Sequence, residues 1–297
     1  MKRLHLVDAS IYIFRAYYSI PDHMLDSNGE PVNAVYGFAE FLCNLFDRDQ
    51  PSHIAIAFDE SLTTSFRNEI YPQYKANREP APPDLKAQME SCRQLVKALG
   101  LASLTSDCYE ADDLIGSVAD KMRVHGFSMV FVTADKDFSQ LLLEGDILFD
   151  FARNRRLDCQ SAEKHFGVRP EQMIDFLALA GDQVDNVPGV KGVGNKTAIS
   201  LLKHFGTLDS IYANLEEIPS LSLRGAKRIQ NLLHTQREQA YMSKRLVKIA
   251  IDAPVEDEAK TFACKQTETS MLDLLCRELN IGSRLGNRLK LIASNSI

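Results

Sequence analysis

The sequence predicts an α/β fold, with a parallel sheet in its first half followed by a mostly helical part. Two observations carry this. Three short apolar runs, Leu4–Val7, Ile54–Phe58 and Met129–Thr133, are rich in Val, Ile and Phe and separated by helical stretches. That is the pattern of strands buried on both faces of a parallel sheet. Each run also stops on an aspartate: Asp8, Asp59 and, after Ala134, Asp135. Ligands gather at the carboxyl ends of strands in such sheets. Three carboxylates delivered there repel one another, and a hard divalent cation neutralises them most simply.

The elements follow in order. Residues 10–19 and 33–47 read as helices on either side of the first turn. Residues 84–99 place Leu85, Met89, Leu95, Val96 and Leu99 at helical positions and close on Gly100, and residues 110–124 are helical again. A further strand is expected at Ile147–Phe151. This βαβ order predicts a parallel sheet. From about 160 the pattern is nearly all helical, broken by a Gly-rich turn at 189–194 and by Leu221–Gly225. Residues 252–270 are polar and weakly periodic, as in a linker, and Met271–Leu279 is amphipathic. Between the second strand and the helix at 84 lies an insertion, 61–83, holding Arg67, Lys75 and Arg78 among four prolines. Long ordered loops of this kind are usually lids or binding elements.

Composition bounds the classes. With 297 residues, 45% hydrophobic and 25% charged, the chain has ordinary globular values and room for one large domain or two modest ones. No apolar stretch approaches a bilayer span, and Met1-Lys2-Arg3 runs directly into a strand, so neither a membrane helix nor a signal peptide is expected. Six scattered cysteines without a CxxC pair fit buried free thiols in a reducing cytoplasm. The net charge of −6 hides an asymmetry: Gly189–Ala250 holds ten Lys/Arg against four Asp/Glu, a local balance of +6. Net charge governs solubility and steering, not where a polyanion docks.

The acidic motifs are individually weak. Glu110, Asp112 and Asp113 fall in four residues at a helix start, where capping and the helix macrodipole are a sufficient reason for one acid. Three exceed that need, and Glu110 and Asp113, at i and i+3, are expected to share a face and converge on one ion. Asp135 and Asp137 flank a strand end, where an Asx turn is the bland alternative. Asp182 and Asp185 form another i,i+3 pair. Together the nine carboxylates flank segments that should be buried, at several kcal/mol each unless neutralised. Oxygen-only ligation points to Mg²⁺ or Mn²⁺ rather than zinc. Two ions would suit in-line phosphodiester hydrolysis, one activating water and the other stabilising the leaving oxygen. The seven histidines show no triad or metal spacing.

Gly189–Ala198 nearly imitates a phosphate-binding P-loop, but Asn195 separates Gly194 from Lys196 and no strand precedes it. A Gly turn between helices instead presents backbone N–H groups of Gly192, Val193, Gly194, Asn195, Lys196 and Thr197 to a nucleic-acid phosphate, unless it is a plain connection. Lys75 and Arg78 are two nearby cations that could neutralise a scissile phosphate. Arg15 on the first helix could grip another, with a surface role nearly as good.

These segments resemble the bacterial and phage 5′→3′ exonuclease/flap endonuclease family, which includes the N-terminal nuclease domain of DNA polymerase I. The match runs through LVDAS (6–10), FRAYY (14–18), GEPVNAVYG (29–37), AFDE (57–60), FRNEIYPQYKANR (66–78), YEADDLIG (109–116), TADKDFSQL (133–141) and DFLALAGDQVDNVPGVKGVGNKTA (175–198). It covers residues 4–250 in the family's order. The resemblance implies a PIN-like/resolvase-like core over 1–160, with a helical arch over about 61–100. It also implies a helix–hairpin–helix part over 161–250, and 251–297 becomes a C-terminal extension of unknown role. It places the family's metal ligands on Asp8, Asp59, Glu110, Asp112, Asp113, Asp135, Asp137, Asp182 and Asp185, and its active-site cations on Lys75 and Arg78. It further implies a K⁺ site on the carbonyls of Leu179, Ala180, Pro188, Val190 and Val193.

The expectation is therefore a two-metal, structure-specific 5′ nuclease acting on DNA with a 5′ flap, nick or branched junction. It is expected to be a free-standing monomer, cytoplasmic and nucleoid-associated, with handover to polymerase and ligase. An RNase H-like nuclease acting on RNA in RNA:DNA hybrids and a non-catalytic junction-binding protein are the alternatives. An interaction module of a larger repair complex, suggested by the unmatched tail, is a third.

Overall fold

In the computed structural model, which describes residues 2–59 and 65–294, the sheet contains β1 (Lys2–Asp8), β2 (Ile54–Ala57), β3 (Ala102–Leu104), β4 (Phe127–Val132), β5 (Ile147–Asp150) and β6 (Arg155–Leu157). Their order across the sheet is 3-2-1-4-5-6. The first five run parallel and β6 is antiparallel. The chain moves outward from β1 through β2 to β3, then returns to the other side of β1 for β4 and β5. The crevice that binds ligands in open α/β sheets lies at such a reversal. Asp8, the last residue of β1, stands there.

Successive strand residues point to opposite faces, and each face has its own core. Leu4, Leu6, Ala55, Ala57, Met129 and Phe131 pack with α5 (below), whereas Val7, Ile54, Ile56, Val130 and Val132 pack on the other side. Both alternate sets are apolar because helices cover both faces. β3 and β6 were not expected. β3 has three residues, too few to show a period, and β6 begins with two arginines. Arg156 pairs with both oxygens of Asp49 at 2.6 Å and stacks 3.9 Å from the Phe149 ring centroid. A charged, short edge strand discourages pairing with other chains.

The helices are α1 (Ala9–Ser19), α2 (Asn33–Asp49), α3 (Phe66–Ile70), α4 (Pro83–Ala98), α5 (Ala111–Val124), α6 (Cys159–Phe166), α7 (Met173–Ala180), α8 (Asn195–Phe205), α9 (Leu208–Ala213), α10 (Ala226–Thr235), α11 (Arg237–Val247), α12 (Ser270–Glu278) and α13 (Ser283–Ser294). Residues of α7 to α11 close a separate apolar core around Leu177, Leu201, Leu202, Ile211 and Leu233. Among the described residues no helix is long and apolar enough to cross a membrane. The six cysteines are free; Cys108 is exposed and Cys159 half-buried, so the expectation of buried thiols holds for the other four.

Residues 252–270 are not a linker. Irregular chain here forms a strap laid across the α/β part. Ala253 N–H donates to Ser117 Oγ at 2.9 Å, Ile54 N–H to Phe262 C=O at 2.8 Å and Cys264 N–H to Ser52 C=O at 2.9 Å. Phe262 and Ala253 are buried. The strap brings α12 and α13 back to α2 and α4, where Leu272, Leu285, Leu289 and Ile292 join the core. Arg288 fixes the docking by pairing with Glu40 at 2.8 Å and Asp47 at 2.6 Å on α2.

The insertion packs against the rest of the protein. Its residues 61–64, part of the expected arch, lie outside the described residues. From Ser65 onward the chain folds down between the two parts, burying Arg67, Tyr74 and Lys75. The helix after it, α4, packs by Leu85, Cys92, Leu95 and Val96 into the core beside α2.

Candidate active site

Parallel neighbours end at one edge, so β1, β2 and β4 deliver Asp8, Asp59 and Asp135 together. Asp59 is fixed by the Ala111 N–H at the start of α5 (2.9 Å) and by Ser10 Oγ (3.2 Å). Thr133 Oγ1 donates to Asp8 Oδ2 at 3.2 Å. Asp135 caps the 3-10 turn Lys136–Leu141 by accepting the Asp137 N–H at 2.9 Å. The helical part supplies Asp182 and Asp185 from the turn after α7, where Asp182 Oδ1 accepts the Val184 N–H at 2.7 Å. The site therefore lies where the two parts meet.

The electrostatics are those of an under-neutralised cluster. Burial, then the charges of Asp59 and Asp135, push Asp8 up to about 7. Burial, then Asp135, push Asp137 up to about 7. Burial together with Asp135 and Asp8 raises Asp112 well above the carboxylate range, and burial raises Asp135. Where cations stand near, the sign reverses. Burial opposes it, but Lys75 and Arg67 hold Glu110 below its ordinary value, and Lys136 does the same for Asp182.

Two openings reach this cluster. A cleft of about 790 Å³ is lined by Asp8, Asp59, Asp112, Asp135 and Asp185, with Lys75 and Arg78. A cavity of about 10 Å³, the space of roughly one water, lies against Glu110, Asp112, Asp137, Asp182 and Asp185. Asp112 and Asp185 border both. Among the described residues no three His, Cys, Asp or Glu side chains are already gathered as a metal shell. The donor set nevertheless fits hard cations. It is all oxygen, and Asp8 Oδ1 and Asp137 Oδ1 are buried without a hydrogen-bond partner. Such atoms are costly unless something unseen satisfies them.

Asp113 is a correction. It is fully buried and grips Arg67 through both oxygens, at 2.7 and 2.8 Å. It also accepts the N–H groups of Ala250 (2.8 Å) and Glu110 (3.1 Å). It has no capacity left for an ion and borders neither opening. The capping alternative holds at this residue. Glu110, the N-cap of α5, does converge with Asp113, but on a guanidinium: Arg67 Nη1 lies 3.8 Å from Glu110 Oε2 and 2.7 Å from Asp113 Oδ2. Glu110 Oε2 also receives Lys75 Nζ at 2.6 Å and the Tyr74 hydroxyl at 3.2 Å.

Lys75 and Arg78 both reach the cleft. Lys75 is buried in a left-handed backbone conformation, φ 54°, tied by its N–H to Asp185 C=O at 3.0 Å. Arg78 pairs with Asp185 and is half-exposed. Arg15 is exposed on α1, and its neighbours Phe14 and Tyr18, not Arg15, line the cleft. Three residues were not singled out from sequence for what they do here: Arg67, Tyr74 and Lys136. Tyr74 donates toward Glu110 or Asp185, 3.2 and 3.3 Å away. For Lys136 the available signal was its place between Asp135 and Asp137, and for Tyr74 its place beside Lys75.

The Gly turn joins α7 to α8 as a hairpin. Val190 and Val193 are buried beneath it, whereas Gly192, Gly194, Asn195 and Lys196 are exposed and Thr197 is half-buried at the α8 N-terminus. The Gln236 side chain clasps the Lys191 backbone, accepting its N–H at 2.8 Å and donating to its C=O at 3.1 Å, and Gln239 Nε2 donates to Gly189 C=O at 2.6 Å. Of the five carbonyls implied for K⁺, that of Leu179 accepts the Val190 N–H and that of Val190 the Val193 N–H, leaving one lone pair on each. Gly189 has φ 60°, and a Cβ there would lie 2.3 Å from Gly181 N. Gly189→Ala is expected to cost about 2 kcal/mol or more from the left-handed backbone and the collision. Guanidinium unfolding would show it; an unchanged midpoint would contradict this packing.

An α/β sheet with an acidic carboxyl edge, joined to a helical hairpin part with an exposed backbone turn, defines the class. Residues 3–167 match the family model of the 5′-3′ exonuclease N-terminal resolvase-like domain, and residues 168–270 that of the 5′-3′ exonuclease C-terminal SAM fold. The chain belongs to the 5′-3′ exonuclease family. It is 33% identical to the 5′-3′ exonuclease of Aquifex aeolicus, over 96% of this chain and 94% of that protein. It is 40% identical to DNA polymerase I of Pseudomonas aeruginosa, over 97% of this chain but 31% of that protein. The chain thus spans about a third of the polymerases it matches. The fold is similar to that of T5 5′-exonuclease with bound divalent metal ions (zinc), with a TM-score of 0.69 at 19% identity, covering 97% of each chain. It is also similar to the catalytic core of Rad2 in complex with DNA substrate, with a TM-score of 0.64 at 17% identity, covering 98% of this chain and 91% of that one.

Proposed function

We propose that this chain is a divalent-metal-dependent, structure-specific 5′ nuclease that hydrolyses DNA phosphodiesters next to a junction. The observation that carries the reading is the set of buried carboxylates, raised by burial and mutual repulsion, that faces two openings at the end of a parallel sheet. Asp8, Asp59, Asp112 and Asp135 on the cleft side and Glu110, Asp137, Asp182 and Asp185 on the cavity side would hold two Mg²⁺ or Mn²⁺ ions. Asp112 and Asp185 stand between them. When bound, such ions activate water and stabilise the leaving oxygen of an in-line displacement.

The protein's own groups position the strand. Lys75 and Arg78, held at the cleft by Glu110 and Asp185, offer fixed positive charge to a phosphate lying over the carboxylates. The hairpin residues Gly192, Gly194, Asn195 and Lys196, exposed at the N-terminus of α8, would take a duplex phosphate through backbone N–H groups; Val193, expected to join them, is buried with its N–H donated to Val190 C=O. No groove-reading helix is needed, so selectivity rests on shape and backbone. The metal-bearing T5 structures and the DNA-bound Rad2 core support both assignments.

The test is product mapping with Mg²⁺ on a 5′-flap DNA, a nick, a blunt duplex, and matching RNA and RNA:DNA substrates. Cleavage of the DNA flap within a few nucleotides of its junction, abolished by EDTA, is expected. Preference for the RNA strand would instead favour the RNase H-like alternative, and binding without cleavage the non-catalytic one.

A further inference from the structure

Among the described residues four lysine or arginine side chains, Arg67, Lys75, Arg78 and Lys136, pair with the predicted carboxylates, and Lys136 differs from the other three. Its ammonium bonds Asp182 Oδ2 and lies 3.3 Å from Asp137 Oδ1. These two carboxylates come from different parts of the protein, Asp137 from the turn after β4 and Asp182 from the turn after α7. Both are fixed. Asp182 is 7% exposed, and its Oδ1 is occupied by the Val184 N–H at 2.7 Å. Asp137 is 14% exposed, and its backbone N–H is tied to Asp135.

Lys136 is not fixed in this way. Its side chain is 39% exposed, against 8% for Lys75, and four methylenes let the ammonium move into water without unfolding anything. An ammonium supplies one positive charge to a pair carrying two. The buried Asp137 Oδ1 receives that charge without a hydrogen bond. The adjoining cavity has room for one more water-sized group.

We infer that Lys136 is a displaceable internal cation: it holds Asp137 and Asp182 together in the metal-free protein and gives up that place to a divalent ion. This rests on the metal reading above and adds a regulatory consequence to it. The cavity-side position is weakened by competition with a tethered charge that pairs directly with two of its carboxylates, whereas the cleft-side position, where Lys136 pairs with none, is weakened less. Metal concentration then sets the occupancy of the cavity-side position over a higher range than the cleft side.

Calorimetric titration of the full chain with Mn²⁺, together with thermal unfolding in EDTA and in saturating Mn²⁺, tests the inference. Lys136→Met should bind the weaker Mn²⁺ about tenfold more tightly, because one like charge has been removed from within a few ångström. Its Tm should fall below wild type in EDTA and return to the wild-type value in Mn²⁺. Lys136→Arg, which keeps the charge, should match wild type in EDTA and bind the weaker Mn²⁺ within about threefold of wild type. A Lys136→Met protein that folds only with Mn²⁺ would support the same conclusion. An unchanged or weaker second affinity, or a loss of Tm equally large in Mn²⁺, would make Lys136 an ordinary structural tie and overturn the inference. Absence of Mn²⁺ binding by wild type would overturn the metal reading itself, a distinguishable result.

Discussion

Asp113→Ala is expected to remove about 3–5 kcal/mol of stability, the cost of leaving a buried charge without its partner. Arg67 is 2% exposed and Asp113 0%. Beyond Asp113, the guanidinium donates to the carbonyls of Leu246 (2.7 Å) and Lys248 (2.8 Å). One side-chain pair thereby ties the insertion to α5 and to the end of α11, where the chain leaves the helical part. Urea unfolding gives the value directly. Arg67→Met with Asp113→Leu should recover most of the loss, since matched apolar groups do not leave a charge stranded. A single Asp113→Ala variant within 1 kcal/mol of wild type would contradict the role given to this pair.

The neighbouring aspartate should behave in the opposite way. Asp112→Asn is expected to lower the rate of flap cleavage by about 10²-fold or more while leaving DNA affinity and the unfolding midpoint near wild type. Its carboxylate borders both openings, and burial with the charges of Asp135 and Asp8 already disfavours its ionisation. Neutralising it removes repulsion from the metal-free fold and a ligand from the loaded site. Asp135→Ala with Asp182→Ala, which strips one carboxylate from each side, should abolish cleavage with binding retained. Single-turnover cleavage beside a fluorescence anisotropy titration separates the two effects. Wild-type cleavage by either variant would remove the metal assignment.

Adjacent residues with opposite losses show where sequence reading reaches its limit. β1, β2 and β4 were legible because burial on both faces makes a strand continuously apolar, and their terminal aspartates break that pattern conspicuously. The carboxylates could therefore be assembled from strand ends and turns. Which of them face an opening could not be read, because that depends on partners far along the chain. Arg67 meets Asp113 across 46 positions, and Lys136 meets Asp182 across another 46. Spacing brought Glu110 and Asp113 together, but the cation they share is Arg67, which local sequence does not point to. The strap at 252–270 was illegible for a related reason: it buries isolated residues such as Ala253 and Phe262 without any period. β6 was hidden by its arginines, whose guanidiniums pair with Asp49 and Asp150 and meet an aromatic face.

In the proposed nuclease eight of the nine predicted carboxylates border the two cation positions, and Asp113 serves the fold instead. Crystals soaked in Mn²⁺ and measured at the manganese absorption edge test it most directly. Two anomalous peaks are predicted, one against Asp8, Asp112 and Asp135 and the other against Asp137, Asp182 and Asp185, with Asp113 still clasped to Arg67. No peak among these residues, or a manganese ion held by Asp113, would contradict the account.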